Sequence, residues 1–352
     1  MTEAGSPAVP VRLTTVTSWL ALLVLTVVIL KTLAFLFVPL SVALLFCYAL
    51  GMPLEYLQRR GVPAPLRIVT VVFFVVALFY LVGRLVHVNI LELQARLPEF
   101  EATFWQYAAA LLDWLDISRE QAAQVLAAFG ENLRHADLKP LGGMVRQMGG
   151  SFFAFFGNAF WVLLFLVFIL AERESMARRL GKGLGEERAA LVLAAMARIN
   201  RAVQRYLGLK ILLSLLTGVL VAITLGLFGI PFALLWGLLT FLLNFIPNIG
   251  SVVATLPPVA IALFQTGSFP ETLLVATALV AIQMVVGNFI EPKLMGGGLN
   301  LSPLVVLLSL LFWGWMWGIV GMLIAVPLTA AIKIACEQLD ATRPAATLMG
   351  AD

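Results

Sequence analysis

This sequence is poor in charge. Only 12% of its 352 residues are Asp, Glu, Lys or Arg, against about 25% in a soluble globular domain. With 61% hydrophobic residues and a mean hydropathy of +1.00, that shortage excludes a soluble globular chain and leaves a polytopic membrane protein. The alternating segments of barrel strands are also lacking, so the spans read as helices. Two cysteines, Cys47 and Cys336, lie far apart in apolar surroundings. They make neither a disulfide framework nor a CxxC metal site and read as packing residues. The two histidines, His87 and His135, belong to no ligand-spaced cluster, so no metal and no cofactor is expected. No GxxxxGK[ST] motif is present, which argues against an ATP-driven mechanism. HExxH and GxSxG are absent, and Asp113, Asp116, Asp137, Asp340 and Asp352 all fall outside the apolar runs. The intramembrane protease chemistries that need those groups are removed, and the chain reads as no enzyme.

The basic residues that are present cluster between apolar runs, at Arg59, Arg60 and Arg67 and again from Arg173 to Lys210. That is the positive-inside pattern and assigns both loops to the cytoplasm. No aromatic-interleaved basic patch accompanies them, so nucleic acid is not a partner. The expected partners are the lipid bilayer and a small polar solute or cation.

Taken in order, residues 1–12 read as a disordered cytoplasmic tail and 13–86 as N-terminal membrane helices. The nearly uncharged stretch 13–57 is 45 residues long, about 68 Å as a single helix, which suits two crossings. Either Lys31 or Pro39 marks its outer turn. A crossing over 68–86 leads to 87–150, the one acidic polar block, expected to be an extracytoplasmic amphipathic helical segment. Ile90, Leu93, Leu97, Phe100, Phe104, Tyr107, Leu111 and Trp114 repeat at alternating spacings of three and four, a helical stripe that Pro98 should kink or divide. Ser118 and Gln121 have the spacing of a capping box, opening a second such helix through Leu133. A membrane helix over 151–171 and a basic amphipathic segment over 172–205, lying at the inner interface, follow.

The transport core is placed at 206–335, with a cytoplasmic tail over 336–352. Here apolar spans are interrupted by prolines, glycines and amides. Asn244, Pro247, Asn248, Gly250 and Ser251 form the first break; Pro257 and Pro258 lie in the helix after it. Gln283, Asn288, Glu291 and Pro292 mark a second, and Ser302 with Pro303 a third. Gly314, Gly318 and Pro327 interrupt the last apolar run. Leu301 to Lys333 is read as a helix entering, turning and leaving, a single kinked span being the alternative. Freed backbone groups at membrane depth need partners and are tolerated where they line a cavity. Paired Gly/Pro-interrupted segments point to a transporter site. The expected pathway residues are Asn244, Asn248, Ser251, Gln283, Asn288, Glu291 and Ser302, with Glu291 the candidate for proton or cation coupling.

Phe245-Ile246-Pro247-Asn248-Ile249-Gly250, preceded by Tyr206-Leu-Gly208 and Gly237-Leu-Leu-x-Phe, followed by Asn288-x-x-Glu291-Pro292, Trp313-Gly314-x-x-Trp-Gly318 and Ala325-Val-Pro327-Leu, resembles the AI-2E family of transporters. The resemblance implies a bacterial inner-membrane protein, a homo-oligomer and by family a pentamer, with helical hairpins in its core. Some relatives export the quorum-sensing signal autoinducer-2, and others are sodium/proton antiporters. The fold expected is all-α and polytopic, with about eight membrane helical segments including broken or re-entrant hairpins. The function expected is a secondary transporter moving a small hydrophilic solute or ion, by export. A cation/proton antiporter is the alternative, and a non-transporting membrane scaffold the alternative of another class.

Overall fold

The computed structural model describes residues 13–114, 159–247, 249–295, 300–337 and 342–350. The tail over 1–12, the second amphipathic helix after Ser118, residues 151–158, the glycine run at 296–298 and Asn248 lie outside the described residues. Every regular element described is helical: α1 (Leu13–Thr32), α2 (Ala34–Ala49), α3 (Gly51–Arg59), α4 (Ala64–Trp114), α5 (Ala159–Leu184), α6 (Glu186–Leu227), α7 (Ala233–Leu243), α8 (Ile249–Thr266), α9 (Phe269–Met284), a π-helical turn (Val285–Ile290), α10 (Glu291–Met295), α11 (Pro303–Glu337) and α12 (Arg343–Leu348). Five helices are long and apolar enough to cross a membrane, six if the bent pair α1–α2 counts as one span. Two shorter apolar helices, Ala159–Glu172 and Ala233–Leu243, join them.

Several expected boundaries move. The chain bends by 85° between α1 and α2, at Leu33 rather than at Lys31 or Pro39, and Pro39 sits inside α2. An 85° bend of this kind is that of a broken span or a re-entrant loop. α4 runs unbroken through Pro98 for 51 residues, about 76 Å, so the amphipathic stripe is an extension of the membrane helix. The stripe is used where it is described: Leu93 is buried with Val86 against α6–α9, Ile90 and Phe100 pack onto the same cluster, and the Phe100 ring meets Phe264 at 6.3 Å. The basic segment is divided between two helices. α5 continues to Leu184, Gly185 turns at φ 77°, and α6 carries the remainder into its span as one 42-residue helix.

α6 is the spine. Its antiparallel contact with α7 needs glycine on both sides: a Cβ on Gly218 would lie 2.5 Å from the Gly237 carbonyl oxygen, and one on Gly237 would lie 2.7 Å from the Gly218 oxygen. Small residues at such crossings let backbones pack closely where no hydrophobic drive operates between helices. α6 is also polar inside and apolar outside. Leu212, Leu215, Val219 and Ile223 are exposed while Lys210, Ser214 and Thr217 are buried, as a helix set in lipid requires.

Two hairpins flank this spine. In the first, α7 ends at Leu243 and α8 begins at Ile249; a Cβ on Gly250 would fall on the Leu243 carbonyl oxygen, so only glycine permits this reversal. In the second, α11 leaves helical geometry at Trp317 and Gly318, where Gly318 has φ 65° and ψ −145°. The arms fold back on each other: Trp313 Nε1 donates to Thr329 Oγ1 at 3.2 Å, whereas sixteen residues of straight helix would separate them by about 24 Å. Pro257 and Pro258 stay inside α8, and Pro327 inside α11, so these three kink or shape helices without breaking them.

Candidate functional site

The site is a polar seam along the buried face of α6. Tyr206, Lys210, Ser214 and Thr217 recur at spacings of four, four and three, which stacks them on one helix face. Lys210 is 2% exposed, and Ser214 and Thr217 are fully buried. Thr217 satisfies itself by donating to the Leu213 carbonyl. The other three engage neighbouring elements.

Lys210 Nζ donates to Glu291 Oε1 at 2.5 Å, an ion pair bridging 81 residues of sequence. Tyr206, one turn earlier, lies in the field of the same carboxylate. Glu291 reaches α6 because the six-residue π turn precedes it. In a regular α-helix the ring of Pro292 would press on the carbonyl of Asn288, four residues back; the wider π turn removes that clash. The helix therefore continues through Pro292 to Met295, where the sequence suggests a stop.

One turn beyond Lys210, Ser214 Oγ accepts from Asn244 Nδ2 at 2.9 Å. Asn244 is the C-cap of α7, so its side chain leaves the helix at the point where the backbone reverses. The first two sequence breaks thus meet across α6: Asn244 and Glu291 bind residues one helical turn apart.

α7 adds two polar groups of a different kind. Among the described residues, Trp236 Nε1 and Thr240 Oγ1 are buried side-chain atoms without a hydrogen-bond partner. They lie one turn apart and one turn before Asn244, so all three share a face. In the same core Thr255 and Thr266 donate to the carbonyl four residues back, the default for a helical threonine among apolar neighbours. Thr240 does not. The buried indole of Trp313 and the half-buried one of Trp317 also find acceptors, on Thr329 and on the Leu30 carbonyl. An unpaired buried polar group costs about 1–3 kcal/mol.

The remaining expected residues sit elsewhere. Gln283 is half-buried and Ser251 half-buried on α8, and Thr255 donates to the Ser251 carbonyl. Asn288 is exposed on the π turn; three residues of that wider turn do not bring it onto the Glu291 face. Ser302 belongs to a second locus. Its hydroxyl caps α11 by accepting from Val305 N at 3.3 Å, its backbone N–H donates to Met349 O, and the adjoining Asn300 carbonyl takes a 2.6 Å hydrogen bond from Lys333 Nζ. Residues 342–350 are therefore docked against the start of α11. Among the described residues no three His, Cys, Asp or Glu side chains gather as metal ligands. A separate open cavity of about 750 Å³, lined by Glu55, Gln58, Arg59 and Arg67 among others, opens between α3, the start of α4 and α5, apart from the seam.

Comparison with known proteins gives the arrangement its setting. The model of the AI-2E family transporters matches residues 20–341. A Haemophilus influenzae protein provisionally named a transport protein is 37% identical over 323 residues, 89% of each chain. The Escherichia coli AI-2 transport protein TqsA is 35% identical over 320 residues, covering 89% of this chain and 88% of its own. A more distant permease of the same organism, PerM, is 28% identical over 309 residues, 84% of this chain and 85% of its own. A match over nearly the whole length, on a helical membrane core whose breaks carry the polar side chains, makes this chain a member of the AI-2E transporter family.

Proposed function

We propose that the protein is a secondary transporter that moves a small hydrophilic solute or ion along the seam between α6, α7 and α10. The observation that carries this is the meeting of Asn244 and Glu291 on one buried face of α6. Desolvating a lysine, a glutamate and an amide inside a membrane bundle is expensive, and polar groups kept there mark pathways. Trp236 and Thr240 extend the polar face along α7. Export is the direction proposed, as the family resemblance implies for some relatives, and a small hydrophilic solute is the first candidate, in keeping with the likeness to an AI-2 transport protein.

A second reading is a cation/proton antiporter, favoured by the Lys210–Glu291 pair. The ammonium holds the position a transported cation would take beside the carboxylate, so release of Lys210 would expose a cation or proton site. Under both readings the proposed setting is a bacterial inner membrane with a cytoplasmic N-terminus, which the positive-inside pattern of the basic loops supports. Homo-oligomerisation remains part of the proposal.

The test is flux in proteoliposomes across sodium, potassium and a labelled hydroxyfuranone, with internal pH followed in parallel. Wild type is expected to move at least one of these, and an Asn244→Ala or Glu291→Gln variant to move it at least tenfold more slowly. Transport unchanged in both variants would sink the seam assignment. Orientation is read separately: an engineered cysteine within 120–135 should react with an impermeant thiol reagent from outside the cell, and reaction from the inside alone overturns it.

A further inference from the structure

We propose that the cavity between α3, the start of α4 and α5 is a binding site for the headgroup of an anionic phospholipid. The site stands apart from the transport seam, and its test needs no transported solute.

The cavity is about 750 Å³, inside the range of about 300–1,000 Å³ that small-ligand sites occupy. Its lining is divided in character. Leu54, Ile68 and Leu170 form an apolar side, whereas Gln58, Arg59 and Arg67 bring donors to the same space. The apolar side is held by packing: Leu54 and Leu170 are buried in one cluster with Val71 and Leu166, and Ile68 packs against it. The two arginines come from different helices, Arg59 as the last residue of α3 and Arg67 in the first turn of α4. They converge because Gly61 turns the chain at φ 75°, a conformation glycine adopts freely, and the Val62 N–H closes the turn on the Leu57 carbonyl. Arg60 is engaged elsewhere, donating to Tyr56 Oη at 2.6 Å and lying 5.1 Å from the centre of that ring.

The charges favour an anion. Two arginines of the lining stand against one acid, Glu55. The first turn of α4 holds no acid, so the charge of Arg67 adds to the positive end of the helix dipole instead of opposing it. A phosphate answers both arginines, since its oxygens accept from guanidinium forks. Glu55 and Gln58 then offer acceptors to the hydroxyls of a headgroup. The flank of the cavity supplies the reason to expect acyl chains on that phosphate. Leu66, Val69 and Phe73 are exposed on α4 at spacings of three and four, one face of the helix. That face leads away from the cavity along the apolar span Ala64–Leu93. Basic groups at the end of a span with bare apolar surface beyond them divide a ligand into a charged head and a greasy tail, and basic pockets between membrane helices take anionic headgroups.

The experiment counts lipid bound to the full chain by native mass spectrometry, with phosphatidylglycerol and phosphatidylcholine of the same acyl chains in competition. Wild type is expected to retain phosphatidylglycerol at least tenfold over phosphatidylcholine. Arg59→Gln with Arg67→Gln should bring that preference below twofold. Arg198→Gln with Arg201→Gln removes the same charge from exposed positions outside the lining and should leave the preference in place. Equal retention of the two lipids by wild type overturns the proposal, as does a preference unchanged in the cavity variant or lost equally in the control. Ala171→Trp tests the cavity without touching a charge: the indole fills the lining and should abolish the preference at unchanged melting temperature, and a preference that survives it also overturns the site. Inorganic phosphate in large excess separates the two sources of the anion. It is expected neither to displace phosphatidylglycerol nor to raise the melting temperature; either effect would assign the cavity to free phosphate and overturn the lipid.

Discussion

Among the described residues two lysines are buried, and they are not equivalent. Lys210 on α6 is 2% exposed and pairs with a carboxylate that is itself four-fifths covered. Lys333 on α11 is 3% exposed, yet its main partner is the neutral carbonyl of Asn300, and its carboxylate neighbour Glu337 stands 3.5 Å away and 44% exposed. The first lysine sits in a closed ion pair whose two halves come from elements 81 residues apart. The second is a hydrogen-bonding staple whose carboxylate neighbour, unlike Glu291, is exposed. A closed ion pair can be opened by a competing cation or by protonation of the acid; a lysine–carbonyl bond offers no such handle. The difference teaches that burial of a charge alone does not identify a coupling site. The partner's chemistry does.

Four groups of substitutions press on this contrast. The largest effect is expected at Glu291→Leu, which strands Lys210 without its counter-charge and should cost about 3–5 kcal/mol in detergent unfolding. Adding Lys210→Met should recover most of that stability, since a buried pair replaced by apolar residues is close to neutral, while flux stays lost. Recovery of flux in the double variant would reduce the pair to a structural tie. Next come the two hairpin glycines. Gly250→Ala and Gly321→Ala would press a methyl onto the carbonyl oxygens of Leu243 and Trp313, and each should lose about 1–3 kcal/mol, whereas Gly83→Ala, with nothing nearby, should lose none; melting temperatures decide. Lys333→Met should cost about 1–2 kcal/mol, the worth of a hydrogen bond to a buried carbonyl, with little change in the cation dependence of flux. A Lys333→Met variant as damaging to cation dependence as Lys210→Met would erase the contrast. The smallest change in stability belongs to Thr240→Val: removing an unpaired hydroxyl should leave the melting point unchanged or raise it slightly, yet slow transport of a hydroxylated solute. Unaltered transport kinetics would show that the α7 face is not used.

Much of this was legible in the chain. Asn244 stood out because Pro247 and Gly250 follow it, and a helix that must end inside lipid leaves its last side chains facing something polar. Glu291 stood out as the one acid adjoining a core break. Lys210 did not: it closes a run of nine basic residues beginning at Arg173 and reads as the last charge of a cytoplasmic loop. The signal was present in the spacing of Tyr206, Lys210, Ser214 and Thr217, a polar stripe running into an apolar span. Asn288 shows the converse, an amide in an apolar span that the π turn leaves facing outward. Trp236 and Thr240 are ordinary membrane-helix residues in sequence; only the lack of a partner marks them.

By itself the sequence determined a helical membrane protein, the places where its backbone must break, the family it belongs to, and glycine at positions where helices touch. Those properties follow from hydropathy, from proline and glycine stereochemistry, and from local spacing. Tertiary structure decided which breaks meet. The pairing of Lys210 with Glu291 depends on a π turn that rotates Glu291 toward α6, the folding back of α11 depends on two non-helical residues at its tip, and the docking of 342–350 uses the Ser302 amide, which donates to Met349 O. Each is a contact between residues distant in the chain, set by how helices pack in three dimensions, and no local pattern encodes it.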